Sequence, residues 1–146
     1  MTTAQEVFAA AMGLMDELSE TGGTDTADTA EYKNRTLLLL NILRGELYPY
    51  SDDYDNDTDG YRPIARIVED FETALPLDDY ICQSVMPYGL AAHLLLDENP
   101  SAAAFFNQRY EELKAGLARG LPRMSEDIVD VYGGGCGIRY NEFARW

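Results

Sequence analysis

Apolar residues recur along much of the chain at the three- and four-residue spacing of amphipathic helices. This spacing predicts a first helix over about 2–19, which the Thr-Gly-Gly turn at 21–23 would end. It predicts a second helix over about 28–47, opened by Asp28 and Glu31 in a capping-box pattern. Because the apolar stripe of the second helix is wide, we expect this helix to be the buried centre of the fold.

The pattern predicts two more long helices. One runs over about 79–96, and Pro87 within it predicts a kink rather than a break. The other opens at Asn99 and Pro100, a cap followed by a first-turn proline, and runs to about residue 119. Between the second and third helices, the composition of 64–71 favours a short helix.

Two segments lack a helical period. Residues 48–63 hold two prolines and a glycine among many aspartates, which predicts a long acidic loop. Residues 121–146 contain a strand-like stretch, a glycine run and an aromatic end, which we interpret as an arm leaving the bundle. The predicted fold class is all-α: a small antiparallel bundle of about four main helices in 1–120, with an acidic loop and an extended C-terminal arm at 121–146.

Composition narrows the function classes. The 146 residues suit one domain, and 26 acids against 11 bases give a net charge of −15. Residues 1–100 hold 20 acids and 5 bases, whereas 101–146 hold six of each. A chain so poor in clustered bases is not expected to bind nucleic acid sequence-specifically. The longest apolar stretch, 85–96, is too short for a membrane span, and the N-terminus predicts no export signal.

The sharpest local motif is Asp55-Asn56-Asp57-Thr58-Asp59-Gly60, which matches the start of a calcium-binding loop. Asp55, Asp57 and Asp59 are therefore weak candidate metal ligands. The twelfth position of such a loop needs a bidentate Glu, but here it is Arg66, whose cation would repel the metal. The pattern favours a solvated acidic loop, and a calcium-dependent binding module stays the alternative.

Catalytic patterns are weak. His93 has no neighbouring nucleophile motif, so we expect a packed or half-exposed helix histidine. Carboxylate pairs at 69–70, 78–79 and 97–98 would suit a small hydrolase, but each adjoins a predicted helix end, where acids are common. One histidine and two cysteines, both expected to be free thiols, argue against a zinc site or disulfide scaffold. We therefore expect neither enzymatic activity nor a cofactor.

The arm is the stronger candidate site. Its aromatic side chains each offer about 150–250 Å² of surface, enough to anchor the arm if they become buried against another surface. From the residues alone, folding back on the bundle and docking on another protein are equally good interpretations.

Residues 86–112 resemble a known family. The run Met86-Pro87-Tyr88-Gly89-Leu90-Ala91-Ala92-His93-Leu94-Leu95-Leu96-Asp97-Glu98-Asn99-Pro100, with Phe105, Phe106, Arg109, Tyr110, Glu111 and Glu112 after it, is similar to the core helix pair of head–tail adaptor (connector) proteins of tailed phages and prophages. The helix from Asn34 to Pro49 and the aromatic ending fit the same family. The first helix and the acidic loop do not match its pattern.

The resemblance implies a virion structural protein that is made in the bacterial cytoplasm and assembles as a ring between portal and tail. Its implied partners are further copies of itself, the portal protein and tail-completion proteins. It also implies a partner interface on the arm, at Tyr132, Gly133, Gly134, Tyr140, Phe143, Arg145 and Trp146. An acidic body would suit a channel through which DNA passes without sticking.

Overall fold

A computed structural model describes residues 1–24, 26–27, 29–52, 54 and 64–120 of the chain. Within these ranges the regular structure is helical, apart from one isolated bridge between Thr3 and Ala74. The elements are α1 (Ala4–Met15), α2 (Thr29–Leu47), a 3-10 turn (Tyr48–Tyr50), α3 (Asp79–Ser84), α4 (Met86–Leu94) and α5 (Pro100–Gly120). The predicted small all-α bundle is confirmed. The arm at 121–146 and most of the acidic loop lie outside the described residues.

A cap at each end sets the length of α1. The Thr3 hydroxyl accepts a hydrogen bond from the Glu6 amide at 3.3 Å, and the Glu6 carboxylate accepts one from the Thr3 amide at 2.7 Å. At the other end Asp16 adopts the left-handed conformation, with φ of 62°. This closes the helix at Met15, so the predicted extent of 2–19 was too long.

The centre of the bundle is α4. It contacts each of the other four helices of the described chain, and Met86, Leu90 and Leu94 on it are fully buried. The expectation that the second helix is central was therefore wrong. α2 buries one stripe of residues but leaves Leu38 and Ile42 exposed on its outer side.

The predicted single helix over 79–96 is two helices. α3 ends at Ser84 and α4 begins at Met86, with Val85 between them at φ −111° and ψ −52°. Pro87 explains the interruption, because its ring has no amide hydrogen to donate and crowds the preceding turn. Since α4 begins one residue earlier, the proline lies in a first turn, where it is tolerated.

Residues 64–71 do not form the predicted short helix. The Asn41 side chain of α2 donates to the Val68 carbonyl at 2.9 Å and accepts from the Val68 amide at 3.0 Å. Arg44 donates to the Ala65 carbonyl. Side chains of α2 thus satisfy backbone groups that a helix would have paired internally, and the segment lies along α2 instead.

α4 and α5 form an antiparallel pair joined by a short turn. As predicted, Asn99 caps α5, its side chain accepting from the Ala102 amide at 3.1 Å. Gly89 of α4 packs against the ring of Tyr110, which lies near the middle of α5. This helix pair comprises the residues on which the resemblance to adaptor proteins depends.

Candidate protein interaction surface

The residues predicted as sites fall mostly beyond the described chain. These are the metal candidates Asp55, Asp57 and Asp59, and the arm residues Tyr132, Gly133, Gly134, Tyr140, Phe143, Arg145 and Trp146. Among the described residues, no group of three His, Cys, Asp or Glu side chains is arranged to hold a metal ion.

The paired carboxylates are engaged in local structure. Asp70 accepts hydrogen bonds from the amide and hydroxyl of Thr73, each at 2.7 Å, and these bonds lower the pKa of Asp70. Asp79 accepts from the Thr2 hydroxyl at 2.8 Å, which, with the Met1 ammonium 3.1 Å away, lowers its pKa as well. Lowered pKa values favour the ionised form, whereas a general acid must hold its proton near neutral pH.

His93 lies exposed on α4, beside a shallow groove between α4 and α5 of about 260 Å³. The groove is lined by Ala92, His93, Leu96, Pro100, Ala103, Ala104 and Asn107. Apart from His93, no acidic or basic side chain is among the described residues that line it. The surroundings of His93 offer apolar contact rather than a partner for proton transfer.

Two buried tyrosines tie the helices together through carboxylates. Tyr110 of α5 donates to Glu46 Oε2 at 3.0 Å, and Lys114 Nζ lies 3.2 Å from the same oxygen. Tyr32 of α2 donates to Glu98, in the turn between α4 and α5. Burial, reinforced by the adjacent carboxylates, raises the pKa of both tyrosines above the ordinary value of 10.0. Both therefore stay protonated donors that join elements distant in sequence.

Four exposed apolar residues lie on α2 and on the segment that is hydrogen-bonded to it. Leu38 is 68% exposed and Ile42 is 48% exposed, one helical turn apart. Ile64 and Ile67, in the segment anchored by Asn41 and Arg44, are 86% and 62% exposed. We call these four residues the α2 face. Exposed apolar residues grouped in this way are typical of a protein interaction site.

The bases of the first 100 residues are confined to one stretch of the sequence, which also holds six acids, Glu46, Asp52, Asp53, Asp55, Asp57 and Asp59. The five bases of residues 1–100 are Lys33, Arg35, Arg44, Arg62 and Arg66, all between positions 33 and 66. Lys33 Nζ lies 5.2 Å from the centre of the Phe71 ring, and Arg44 is buried against the Ala65 carbonyl. Arg35 precedes Leu38 by one turn on α2, and Arg66 is exposed beside Ile67. Arg35 and Arg66 therefore flank the α2 face, but Glu69 lines one pocket with Arg66 and Ile67, so the charges beside the face are mixed.

Sequence reasoning missed this face, although the pattern contained a usable indication. The apolar residues of α2 cover more of the helix circumference than one buried stripe needs, and Leu38 lies opposite the stripe of Thr36, Leu40 and Leu43. An apolar arc wider than the core requires has two interpretations. Either the helix is completely buried, or it has a second contact surface.

No family model, no curated protein and no solved structure matches the chain. No helix in the described ranges is long and apolar enough to cross a membrane.

Proposed function

We propose that the chain is a structural protein of a tailed phage or prophage, a head–tail adaptor that forms a ring joining the portal to the tail. The observation that carries the proposal is the α2 face, because exposed apolar residues on neighbouring elements are typical of a surface that another protein covers. The antiparallel pair α4–α5, comprising the residues that resemble adaptor proteins, supports the same family.

The arm supplies the second contact of the proposed adaptor. It ends in Tyr140, Phe143, Arg145 and Trp146, and aromatic and arginine side chains are the usual energetic anchors of protein interfaces. Residues 101–146 carry no net charge, so this part of the chain approaches an acidic partner without long-range repulsion. The proposed partner of the arm is the portal protein, with tail-completion proteins on the other side of the ring.

The acidic body suits the same role. A net charge of −15 repels a DNA duplex, so DNA would pass through a ring of such subunits without being held. In this proposal the protein is made in the bacterial cytoplasm and ends in the virion.

The location of the protein tests the proposal. Virions induced from the source bacterium are purified, and the chain is sought by mass spectrometry and by electron microscopy of particles labelled with antibody. We expect stoichiometric amounts at the junction of head and tail. Intact virions without the protein would contradict the proposal.

A second experiment tests the arm. Removal of 133–146 is expected to leave a folded bundle that no longer binds the portal protein encoded by the same phage. The matched control replaces Tyr140, Phe143 and Trp146 with serine, which keeps the length and backbone of the arm and is expected to weaken binding similarly. Full portal binding by either variant would show that the arm is not the contact.

A further inference from the structure

We propose that residues 128–132 of the C-terminal arm cover the α2 face of the same molecule until a partner protein displaces them. The inference names how this interaction surface is regulated, and in that respect it rests on the proposed function. The contact itself lies within one molecule, so the purified protein is enough to test it. The proposed occupant is a named segment of this chain that lies beyond the described residues.

Contacts between α2 and α5 show where the arm leaves the bundle. Tyr32, near the start of α2, donates to Glu98, which lies just before α5. Glu46, near the end of α2, accepts from Tyr110 at 3.0 Å and lies 3.2 Å from Lys114 Nζ. The two helices therefore run in the same direction, and α5 ends six residues beyond Lys114, a rise of about 9 Å.

The α2 face begins one helical turn from the contact at Glu46. Ile42 precedes Glu46 by four residues and so lies on the same side of α2, and Leu38 lies one turn before Ile42. From Gly120, where α5 ends, Ile42 is about 15 Å back along the bundle and Leu38 is about 21 Å back. A chain that leaves α5 and reverses direction therefore passes along the α2 face.

The length of the arm suits this path. Residues 121–127 separate the end of α5 from Ile128, and an extended chain spans about 26 Å between Gly120 and Ile128. That distance is enough to reach Leu38. Residues 133–146 remain beyond the 128–132 stretch, so the aromatic end of the arm stays available for the proposed portal contact.

The chemistry of the stretch matches that of the face. Four of its five residues are large and apolar: Ile128, Val129, Val131 and Tyr132. The α2 face presents four exposed aliphatic side chains. Packing one set against the other removes both from water, and this burial is the dominant favourable free energy of an apolar contact.

Position favours the α2 face over the α4–α5 groove, the other apolar site described above. The groove lies where α5 begins, and Ala103 in its lining is about 26 Å from Gly120 along the helix axis. The nearer end of the α2 face, at Ile42, is only about 15 Å away. The stretch that follows α5 is therefore closer to the α2 face.

A covered face changes how the proposed adaptor binds its partners. A partner of the α2 face binds only those molecules in which the face is open, so its apparent affinity falls with the fraction that is covered. Binding of the aromatic end to the portal would draw the arm away from the bundle and expose the face. The portal contact would then form first, and the contact at the α2 face would follow it.

Two full-length variants test the contact, and both alter the arm. The first combines Val129→Ser with Val131→Ser and so removes apolar groups from the 128–132 stretch. The matched control combines Tyr140→Ser with Phe143→Ser and removes apolar groups from the same arm outside that stretch. Circular dichroism establishes that both variants keep the helical bundle.

Methyl NMR reports on the α2 face directly. We expect the first variant to shift the methyl signals of Ile42, Ile64 and Ile67, and the control to leave them at their wild-type positions. The methyl signals of Leu96, at the α4–α5 groove, are expected to be unchanged in both variants. Because the contact lies within one molecule, dilution of the wild-type protein should leave its spectrum unchanged.

Binding of the apolar dye anilinonaphthalene sulfonate measures whether the face opens. We expect the first variant to bind several-fold more dye than the wild type. Addition of Ile42→Ser and Ile67→Ser to that variant is expected to remove the increase, because the uncovered face is then less apolar.

Isoleucine signals that stay at their wild-type positions in the first variant would overturn the inference, as would equal shifts in the control. So would an increase in dye binding that persists without Ile42 and Ile67. Signals that change on dilution would also overturn it, because the face would then contact a second copy. None of these results depends on where the protein is found, so they are separate from the virion experiment that tests the proposed function.

Discussion

Gly89 lies at a point of α4 where two neighbouring helices come too close for a side chain. A Cβ atom there would be 2.9 Å from Leu43 Cδ2 and 3.0 Å from the Tyr110 ring. We expect Gly89→Ala to lower the free energy of unfolding by about 1–3 kcal/mol, the usual cost of overpacking. Gly45→Ala on α2 is the control, since a Cβ atom there meets nothing within 4 Å.

Gly45→Ala is expected to raise the free energy of unfolding by about 0.5–1 kcal/mol, because alanine has a better helix propensity than glycine. Urea unfolding of both variants measures the two effects. If Gly89→Ala were as stable as the wild type, the contacts with Leu43 and Tyr110 would have to relax without cost.

Tyr110 makes the stability of the fold depend on pH in the alkaline range. Its folded-state pKa lies above the ordinary 10.0, chiefly because of burial, so the folded state holds the phenolic proton more tightly than the unfolded state. The resulting stability is complete below about pH 10 and is lost as pH rises beyond that value. We expect Tyr110→Phe to cost about 1–2 kcal/mol at neutral pH, where the hydrogen bond to Glu46 is lost, and to reduce the alkaline loss.

Urea unfolding of the wild type and of Tyr110→Phe between about pH 7 and pH 11 checks this expectation. Tyr32 has the same direction of shift, so part of the alkaline loss is expected to remain in the variant. If the free energy of unfolding changed with pH identically in the two proteins, groups other than Tyr110 would cause the whole pH dependence.

At the scale of elements, Asn41 of α2 holds the segment 64–71 in place. Its amide forms two hydrogen bonds with the backbone of Val68, so Asn41→Ala leaves a donor and an acceptor without partners. We expect a loss of about 2–4 kcal/mol, at about 1–3 kcal/mol for each unsatisfied group. Amide hydrogen exchange at Val68 is expected to accelerate as the segment separates from α2.

Asn41→Asp is a second variant, because a carboxylate still accepts from the Val68 amide but places an oxygen against the Val68 and Leu37 carbonyls, to which the Asn41 amide donates at 2.9 Å. Since two oxygens at that distance repel each other, its loss of stability should be at least as large as that of Asn41→Ala. Unchanged exchange in Asn41→Ala would mean that other contacts of the segment, such as those of Arg44 with Ala65 and of Lys33 with Phe71, hold it in place.

The elements that the sequence predicted well are those with local determinants. α5 has its cap at Asn99 and its first-turn proline within two residues, and α2 ends at Leu47 as its apolar pattern indicates. The capping box of Thr3 and Glu6 is equally local, and the T-x-x-E pattern would have placed the start of α1 correctly.

What the sequence did not reveal depends on contacts between distant residues. Residues 64–71 are apolar enough for a helix, but hydrogen bonds from Asn41 and Arg44 decide their conformation. The exposure of Leu38 and Ile42 depends on α4, rather than α2, occupying the centre. The predicted arm residues and the calcium candidates stay predictions, because they lie outside the described ranges.

At the scale of the whole molecule, the net charge of −15 opposes compaction. Salt shortens the screening distance from about 30 Å at 0.01 M to about 10 Å at 0.1 M, which weakens this repulsion. We therefore expect the Tm to rise by several degrees between these salt concentrations when measured with NaCl. A Tm that is constant or falls would show that attractive ion pairs outweigh the repulsion.

CaCl2 at the same ionic strength separates general screening from specific binding. Equal Tm values in the two salts are expected if Asp55, Asp57 and Asp59 belong to a solvated loop. A higher Tm in CaCl2, reversed by a chelator, would favour the calcium-dependent alternative.

Cys82 has no exposed surface in the folded protein, and burial, chiefly, raises its pKa to about 12. Because only a thiolate reacts readily, a thiol reagent added to the native protein has to wait until this part of the bundle opens. With Cys136 replaced by serine, the rate at which the reagent labels Cys82 measures how often the core around α3 opens. The same single-cysteine protein would show whether the proposed assembly into a ring slows that labelling.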